Sequence, residues 1–259
     1  MMHLKKRDIV STYKEKLEKL ASLIEKSDNI VFFGGAGVST ESNIPDFRSS
    51  TGLYQTSEGD LYPPETVLSH RFFERYPEVF FRFYKEKMIY ENALPNAAHI
   101  QLAKLEQMGK LKAVITQNID GLHQMAGSKN VFELHGSVHR NYCMNCGKTY
   151  GLHKVIHSEG IPKCDACGHT VRPDVVLYEE GLDMGVIEGA IGAISNADLL
   201  IIGGTSLVVY PAAGLIDYFR GDQLVLINKS KTSYDNRAMI QIEASIGEVF
   251  LELMGDERK

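Results

Sequence analysis

The 259-residue chain has no cysteine outside Cys143, Cys146, Cys164 and Cys167, no internal repeat, no low-complexity tract and no excess of positive charge. It also has no apolar run long enough to cross a bilayer, which excludes a helical membrane span. The opening residues, MMHLKKRDIVSTYKEKLEKL, carry early positive charge but lack the apolar centre and cleavage signature of a signal peptide. A reduced, cytoplasmic protein is the expectation, with a monomer as the default state. With 28 Lys and Arg against 33 Asp and Glu, the formal charge of -5 argues against a broad nucleic-acid surface. A hydrophobic share of 44% beside 24% charged residues is that of a soluble globular chain. The length suffices for one sizeable α/β core and a smaller module.

The cysteines that are present form two Cys-x-x-Cys pairs with 17 residues between them. Each pair puts two thiolates on one tight turn, and two such turns close a tetrahedron around Zn²⁺. Two disulfides or four scattered core thiols are the competing accounts. Four cysteine ligands leave no open coordination position, so the metal is structural rather than catalytic.

Leu17, Leu20, Leu23 and Ile24 fall on one stripe and predict a helix over Tyr13 to Lys26. Strands are predicted at 29–33, 112–116, 131–134, 199–202 and 224–227, with a weaker one at 238–242, and a helix at 97–108. Between them, residues 54–91 alternate aromatic and charged residues at helical spacing, divided by Pro63, Pro64 and Pro77. The fold class is therefore α/β: a doubly wound, mostly parallel sheet with helices on both faces. It carries a helical module and a small zinc-ribbon insert. The expected division is 1–53, 95–137 and 172–259 for the sheet domain, 54–94 for the helical module and 138–171 for the insert.

The first strand runs into Gly35-Ala36-Gly37-Val38-Ser39 and then a predicted helix, an arrangement that receives a pyrophosphate on glycine backbone and a helix N-terminus. Thr40 stands where the third glycine of a dehydrogenase fingerprint belongs, which disfavours hydride transfer. A tight turn that binds nothing is the alternative. Two further strands end in Gly203-Gly204-Thr205-Ser206 and Asn228-Lys229, at the edge where doubly wound sheets bind ligands. The same edge should carry Thr116-Gln117-Asn118-Ile119-Asp120 and His135-Gly136. Asn118 or Asp120 can serve as a plain helix cap. His135 is either a general base or a structural histidine.

These segments together resemble the sirtuins, the NAD-dependent protein lysine deacylases. The resemblance runs from about residue 13 to 253. It is carried by Gly35 to Arg48, Thr116 to His123, Leu134-His135-Gly136, the two cysteine pairs, Arg172 to Val176, Gly204 to Ala213 and Asn228-Lys229. It is strongest to bacterial members that carry little beyond the core. It implies a Rossmann-type domain with NAD lying between it and the smaller module. It further implies that an acyl-lysine protein binds as an extended segment from the opposite side. In the family the acyl oxygen attacks C1′ of the nicotinamide ribose, nicotinamide leaves, and a histidine base activates the ribose. The products are lysine, nicotinamide and O-acyl-ADP-ribose.

Carried onto this chain, the resemblance gives His135 as the base and Asn118 as its catalytic partner. It gives Gly35, Ala36, Gly37, Thr40, Asp46, Phe47, Arg48, Gln117, Asn118, Asp120, Gly204, Thr205, Ser206, Asn228 and Lys229 as the NAD site, with Ile44 beside the carboxamide. Val176, Leu177 and Tyr178 form one wall of the peptide cleft, and Val208, Val209 and Tyr210 the other. Asn43 replaces a common glycine, and Leu177-Tyr178-Glu179-Glu180 stands where relatives have Phe-Gly-Glu. Family members that take succinyl groups have a Tyr-x-x-Arg pair. Here Phe81 and Tyr84 hold those positions, so acetyl or a longer apolar acyl group is expected. A protein ADP-ribosyltransferase and a non-catalytic NAD- or ADP-ribose-binding protein are the other readings.

Overall fold

Strand β1 (Ile30–Gly34) is buried at every residue. Its side chains divide cleanly: Ile30 and Phe32 enter one core while Val31 and Phe33 enter another. A strand covered on both faces reads as a continuous apolar run, which explains why no polar alternation marks it. The structure is a computed structural model describing residues 12–49, 52–56 and 61–254. The expected domain limits at 1 and 259, and the basic stretch at 1–11, lie outside the described residues.

The remaining strands are β2 (Leu111–Thr116), β3 (Val131–Glu133), β4 (Gly136–Cys143), β5 (Thr149–Tyr150), β6 (Val171–Val175), β7 (Leu199–Gly203), β8 (Gln223–Ile227) and β9 (Ile240–Ile242). Six of them form one sheet in the order β3-β2-β1-β7-β8-β9, with every pairing parallel. The connection order reverses between β1 and β7, so the loops leaving these neighbours open a crevice at their carboxyl ends. Helices Tyr13–Lys26, Ala97–Gln107 and Ile246–Met254 cover one face through Leu20, Leu102 and Phe250. Helix Met184–Asn196 and the 3₁₀ segment Ala212–Tyr218 cover the other through Ile194 and Ile216. The first helix starts at Tyr13, one turn ahead of its apolar stripe, because Thr12 and Glu15 cap each other reciprocally, at 2.7 and 3.2 Å.

The second sheet, β5-β4-β6, is antiparallel. It extends past the predicted insert limits of 138–171 on both sides. Helices Pro64–Val67, His70–Arg75 and Pro77–Lys87 lie beside it. Their aromatic residues, Phe72, Phe73, Phe80, Phe81, Phe83 and Tyr84, share one core with Val138, Val155, Val175 and Leu177. The helical residues and the zinc-ribbon sheet thus bury each other.

Two predictions are corrected. No α-helix follows Gly37: the chain makes two 3₁₀ turns, Ala36–Val38 and Thr40–Ser42. Asn43, at φ 62°, ends the second in the left-handed region, and Pro45, two residues on, has no N–H to continue it. This is the conformation for which asparagine substitutes best for glycine. The last strand begins at Ile240 rather than 238 because Ala238 still caps a 3₁₀ turn.

Candidate active site

A cavity of about 860 Å³ opens along the carboxyl edge of the parallel sheet and runs under the small module. Its floor exists because two loops touch. A Cβ on Gly37 would fall 2.8 Å from the Gly204 backbone, and one on Gly204, at φ 58°, would fall 2.4 Å from the Val38 nitrogen. The Gly37 N–H donates to the Gly204 carbonyl at 2.8 Å. These glycines therefore serve loop-on-loop packing in addition to leaving room for a ligand.

Of the predicted NAD-site residues, all fifteen line this cavity, and so does His135. Asn228 does so with its amide already engaged: its Oδ1 accepts the Thr205 N–H at 2.9 Å and its Nδ2 donates to the Thr205 carbonyl at 2.5 Å. It fixes the loop after β7 rather than offering a free amide. Gln117 Nε2 donates to Thr205 Oγ1 at 3.1 Å and holds the same loop from the other side. Asp46 accepts the Arg48 and Ser49 N–H groups at 3.0 and 2.8 Å, which bends the segment around Phe47.

The polar groups after β2 form a directed chain. Asn118 Nδ2 donates to Ser39 Oγ at 3.0 Å, and Ser39 Oγ–H donates to Asp120 Oδ2 at 2.7 Å. Asp120 Oδ1 accepts the Leu122 N–H at 2.9 Å, so it also caps the following turn. Burial pushes the Asp120 carboxyl above its usual range, against the opposing pull of the Leu122 and Ser39 hydrogen bonds. Ser39 is the residue that sequence reasoning passed over, although it stood inside the quoted glycine-rich motif; its signal was a hydroxyl at the head of a turn.

His135 Nδ1 lies 2.9 Å from the Gln117 carbonyl oxygen. A carbonyl only accepts, so Nδ1 carries the proton and Nε2 keeps its lone pair. Burial lowers the imidazole pKa, with the Gln117 contact opposing in part, so the ring is neutral near pH 7. Gly136 makes the next step possible: at φ 75°, a Cβ there would fall 2.0 Å from the Asp174 carbonyl oxygen on β6.

The residues expected at the peptide walls divide between the cavity and its surroundings. Val176, Leu177, Tyr178, Val209 and Tyr210 line the cavity, as does Tyr84. Val208 is outside it, 55% exposed to solvent. Phe81 does not line it: it shares a helix face with Tyr84 but lies about one turn earlier, fully buried against Phe73 and Phe80 in the aromatic core. Tyr178 pairs its N–H with Leu68 and its carbonyl with His70, both at 3.0 Å. Leu177 N–H turns back onto Glu180. The backbone N–H and C=O of Glu179 have no partner among the described residues. Glu179, at φ 77°, holds the left-handed conformation that glycine favours. Its carboxylate meets Arg71 at 3.2 Å.

The four cysteine sulfurs lie within 4.8 Å of one another. The Cys143–Cys167 and Cys146–Cys164 sulfurs are 3.4 and 3.6 Å apart, far beyond a disulfide and close to the roughly 3.8 Å edge of a Zn–thiolate tetrahedron. Each Cys-x-x-Cys turn ends in a left-handed glycine, Gly147 or Gly168, whose N–H bonds the first cysteine's carbonyl at 3.0 and 2.9 Å. Tyr150 donates to Cys164 at 3.0 Å and holds that thiol down to about 6. The donor set fits zinc.

A model of the Sir2 family matches residues 35–211. The chain belongs to the Sir2 family. A relative from Clostridium acetobutylicum, an NAD-dependent protein deacetylase, is 65% identical over 91% of this chain and 96% of its own length. A solved Sir2 with deacetylated p53 peptide and 3′-O-acetyl ADP ribose is 41% identical, with a TM-score of 0.84 over 92% of this chain and 97% of that one. Sir2Tm bound to a propionylated peptide is likewise 41% identical, with a TM-score of 0.81 over the same shares. The described residues include no helix long and apolar enough to cross a membrane.

Proposed function

We propose that this sirtuin removes acetyl groups from protein lysines in an NAD-dependent reaction that yields nicotinamide and O-acyl-ADP-ribose. Longer apolar acyl groups are the second substrate class. The observation that carries the reading is His135, held by Gln117 as a neutral imidazole with Nε2 free, in the same cavity as the Asn118–Ser39–Asp120 chain. Bound NAD supplies a ribose carbon that becomes electrophilic as nicotinamide departs.

The chain's own residues do the rest. The loops carrying Gly35 to Thr40, Gly204 to Ser206 and Asn228-Lys229 hold the dinucleotide. Asp46, Phe47 and Arg48 close over its nicotinamide end, and Phe47 keeps water from the reacting face. Asn118 and Asp120, locked together through Ser39, orient the nicotinamide ribose. His135 Nε2 takes a proton from a ribose hydroxyl, which a neutral imidazole is suited to do near pH 7. Cys143, Cys146, Cys164 and Cys167 hold one Zn²⁺ that staples the β5-β4-β6 sheet and leaves no position for chemistry. The sheet domain is assigned to 1–53, 95–137 and 172–259 apart from the strand ends 136–137 and 172–175, which with 54–94 and 138–171 form the module over the cleft.

The acyl-lysine partner is read as an extended segment lying between Leu177–Glu179 and Val209–Tyr210, with Glu179 offering backbone hydrogen bonds to it. A cytoplasmic monomer without direct nucleic-acid binding completes the proposal. Incubating an acetylated peptide with and without NAD, and reading products by mass, tests it. The expected result is a loss of one acetyl group only with NAD, matched by equal nicotinamide and O-acetyl-ADP-ribose. ADP-ribosylated protein without deacetylation would point to the transferase instead.

A further inference from the structure

We infer that Glu41 is a positioning residue for the NAD loop, acting through the amino end of helix Ile246–Met254; this rests on the assignment of the large cavity to NAD. Glu41 sits in the 3₁₀ turn Thr40–Ser42, and its Oε2 accepts the Gly247 N–H at 2.8 Å across 206 residues of sequence. The contact joins two walls of one cavity. Thr40 lines it from the loop, and Ser245 and Ile246 line it from the start of the helix. A carboxylate suits that place because the first N–H groups of a helix lack intrahelical partners and carry partial positive charge.

Gly247 is shaped to the contact. A Cβ there would fall 2.6 Å from both Glu41 carboxylate oxygens, so alanine is accommodated only if the carboxylate retreats. The other side of the turn is fixed independently. Asn96 Nδ2 donates to the Val38 carbonyl at 2.8 Å and to Ser42 Oγ at 3.0 Å. Glu41 is thus the anchor on one flank and Asn96 on the other, with Thr40 held between them over the cavity. Neither Glu41 nor Gly247 lines the cavity itself, so Glu41 acts by placing its neighbours.

The test is steady-state kinetics on full-length, zinc-loaded protein, with NAD and acetyl-peptide varied separately and direct NAD binding measured alongside. Glu41→Ala should raise the NAD KM about two- to fivefold, the scale of an exposed carboxylate at a helix end, while the peptide KM is unchanged and the melting temperature shifts by no more than about 2 °C. Glu41→Gln keeps an acceptor oxygen and should recover most of the loss. Gly247→Ala should reproduce much of the Glu41→Ala effect, and the double variant should be no worse than Glu41→Ala alone, because both remove one interaction. An unchanged NAD KM in Glu41→Ala overturns the inference, as does Glu41→Gln behaving like alanine. Parallel losses in both KM values with a fallen melting temperature also overturn it, since they mark a merely structural contact. Wild-type protein that fails to bind NAD overturns the cavity assignment, a failure distinct from any variant effect.

Discussion

The six-stranded sheet and the module packed over it bury comparable apolar side chains by different means. The sheet is redundant: aliphatic strands are covered on both faces, and two separate cores repeat the same kind of contact along every strand. The module has short helices, a three-stranded sheet and one aromatic core. It relies on a few particular links. One is the thiolate cluster. Another is Arg172, which makes a two-pronged bond to Glu180 at 2.9 and 3.0 Å while Glu180 accepts the Leu177 N–H at 2.9 Å. Burial alone would raise the Glu180 carboxyl, but Arg172, the Leu177 N–H and His70 together outweigh it and the pKa lies below the usual value. Small folded units commonly need such staples because they cannot bury enough surface. The catalytic cavity lies where the redundant part meets the stapled part, so the two should fail separately.

The largest expected effect comes from removing the metal. Structural zinc contributes on the order of 10 kcal/mol to the folding of a small unit, more than the module's remaining contacts can replace. Chelation, or Cys164→Ser, should expose residues of β4–β6 to hydrogen exchange and abolish turnover, while the amides of β1, β2, β7 and β8 stay protected. Simultaneous loss of protection in both regions would show that the sheet does not stand alone.

His135→Ala breaks chemistry while leaving both regions folded. Turnover should fall by about 10²- to 10⁴-fold, and NAD affinity should survive, because the imidazole contributes proton transfer and little cofactor contact. Near-normal turnover would refute its role as base. Since burial lowers the His135 pKa from 6.5, the acid limb of kcat/KM should lie below pH 6.5. Asn118→Ala should instead weaken both turnover and nicotinamide inhibition.

Acid sensitivity should belong to the sheet domain. His99 and His123 pack ring to ring at 4.7 Å behind β1, beside Phe32. Burial lowers both, His99 to about 4 and His123 well below its ordinary value. The unfolded chain binds these protons more readily than the folded one below about pH 6.5, so stability is lost as pH falls from there toward 4. Chemical denaturation midpoints at pH 7 and pH 5 test this. Replacing His99 with Gln should reduce the difference, with His123 keeping the rest; an unaltered pH dependence would assign it elsewhere.

Much of this was legible in the sequence, for physical reasons. Buried strands show as apolar runs ended by glycine, the first helix shows its stripe and capping residues, and the cysteine spacing is specific for metal. What escaped depends on parts of the chain meeting in space. The 3₁₀ turns after Gly37 follow from Asn43, Pro45 and contact with Gly204, none of which a glycine pattern encodes. Asn228 was readable as a strand-end polar residue, but its use of both amide atoms on Thr205 was not. Phe81 illustrates the limit of family register: it stands at the position of the succinyl-taking members' tyrosine, yet its side chain belongs to the aromatic core.

That placement sharpens the smallest prediction, acyl choice. Acetyl-peptide should be preferred over succinyl-peptide by about 1.4 kcal/mol, roughly tenfold in kcat/KM. Tyr84 lines the cavity fully buried, its hydroxyl without a partner among the described residues, and a succinyl carboxylate placed against it would be desolvated without a cation. Lys85 does not supply one, since its Nζ donates to the carbonyls of Ser158 and Gly160. Lys87 does line the cavity, and equal rates on the two peptides would mean that it reaches the acyl tail. Two single variants separate module packing from pocket chemistry. Tyr84→Arg should narrow the gap by providing a guanidinium for the carboxylate. Phe81→Tyr should leave the gap unchanged and lower stability by about 1–3 kcal/mol, because its hydroxyl would enter the dry aromatic core without a partner. If Phe81→Tyr raised succinyl turnover instead, residue 81 would reach the substrate from the turn before Tyr84, and the division between the module's core and its pocket would have to be redrawn.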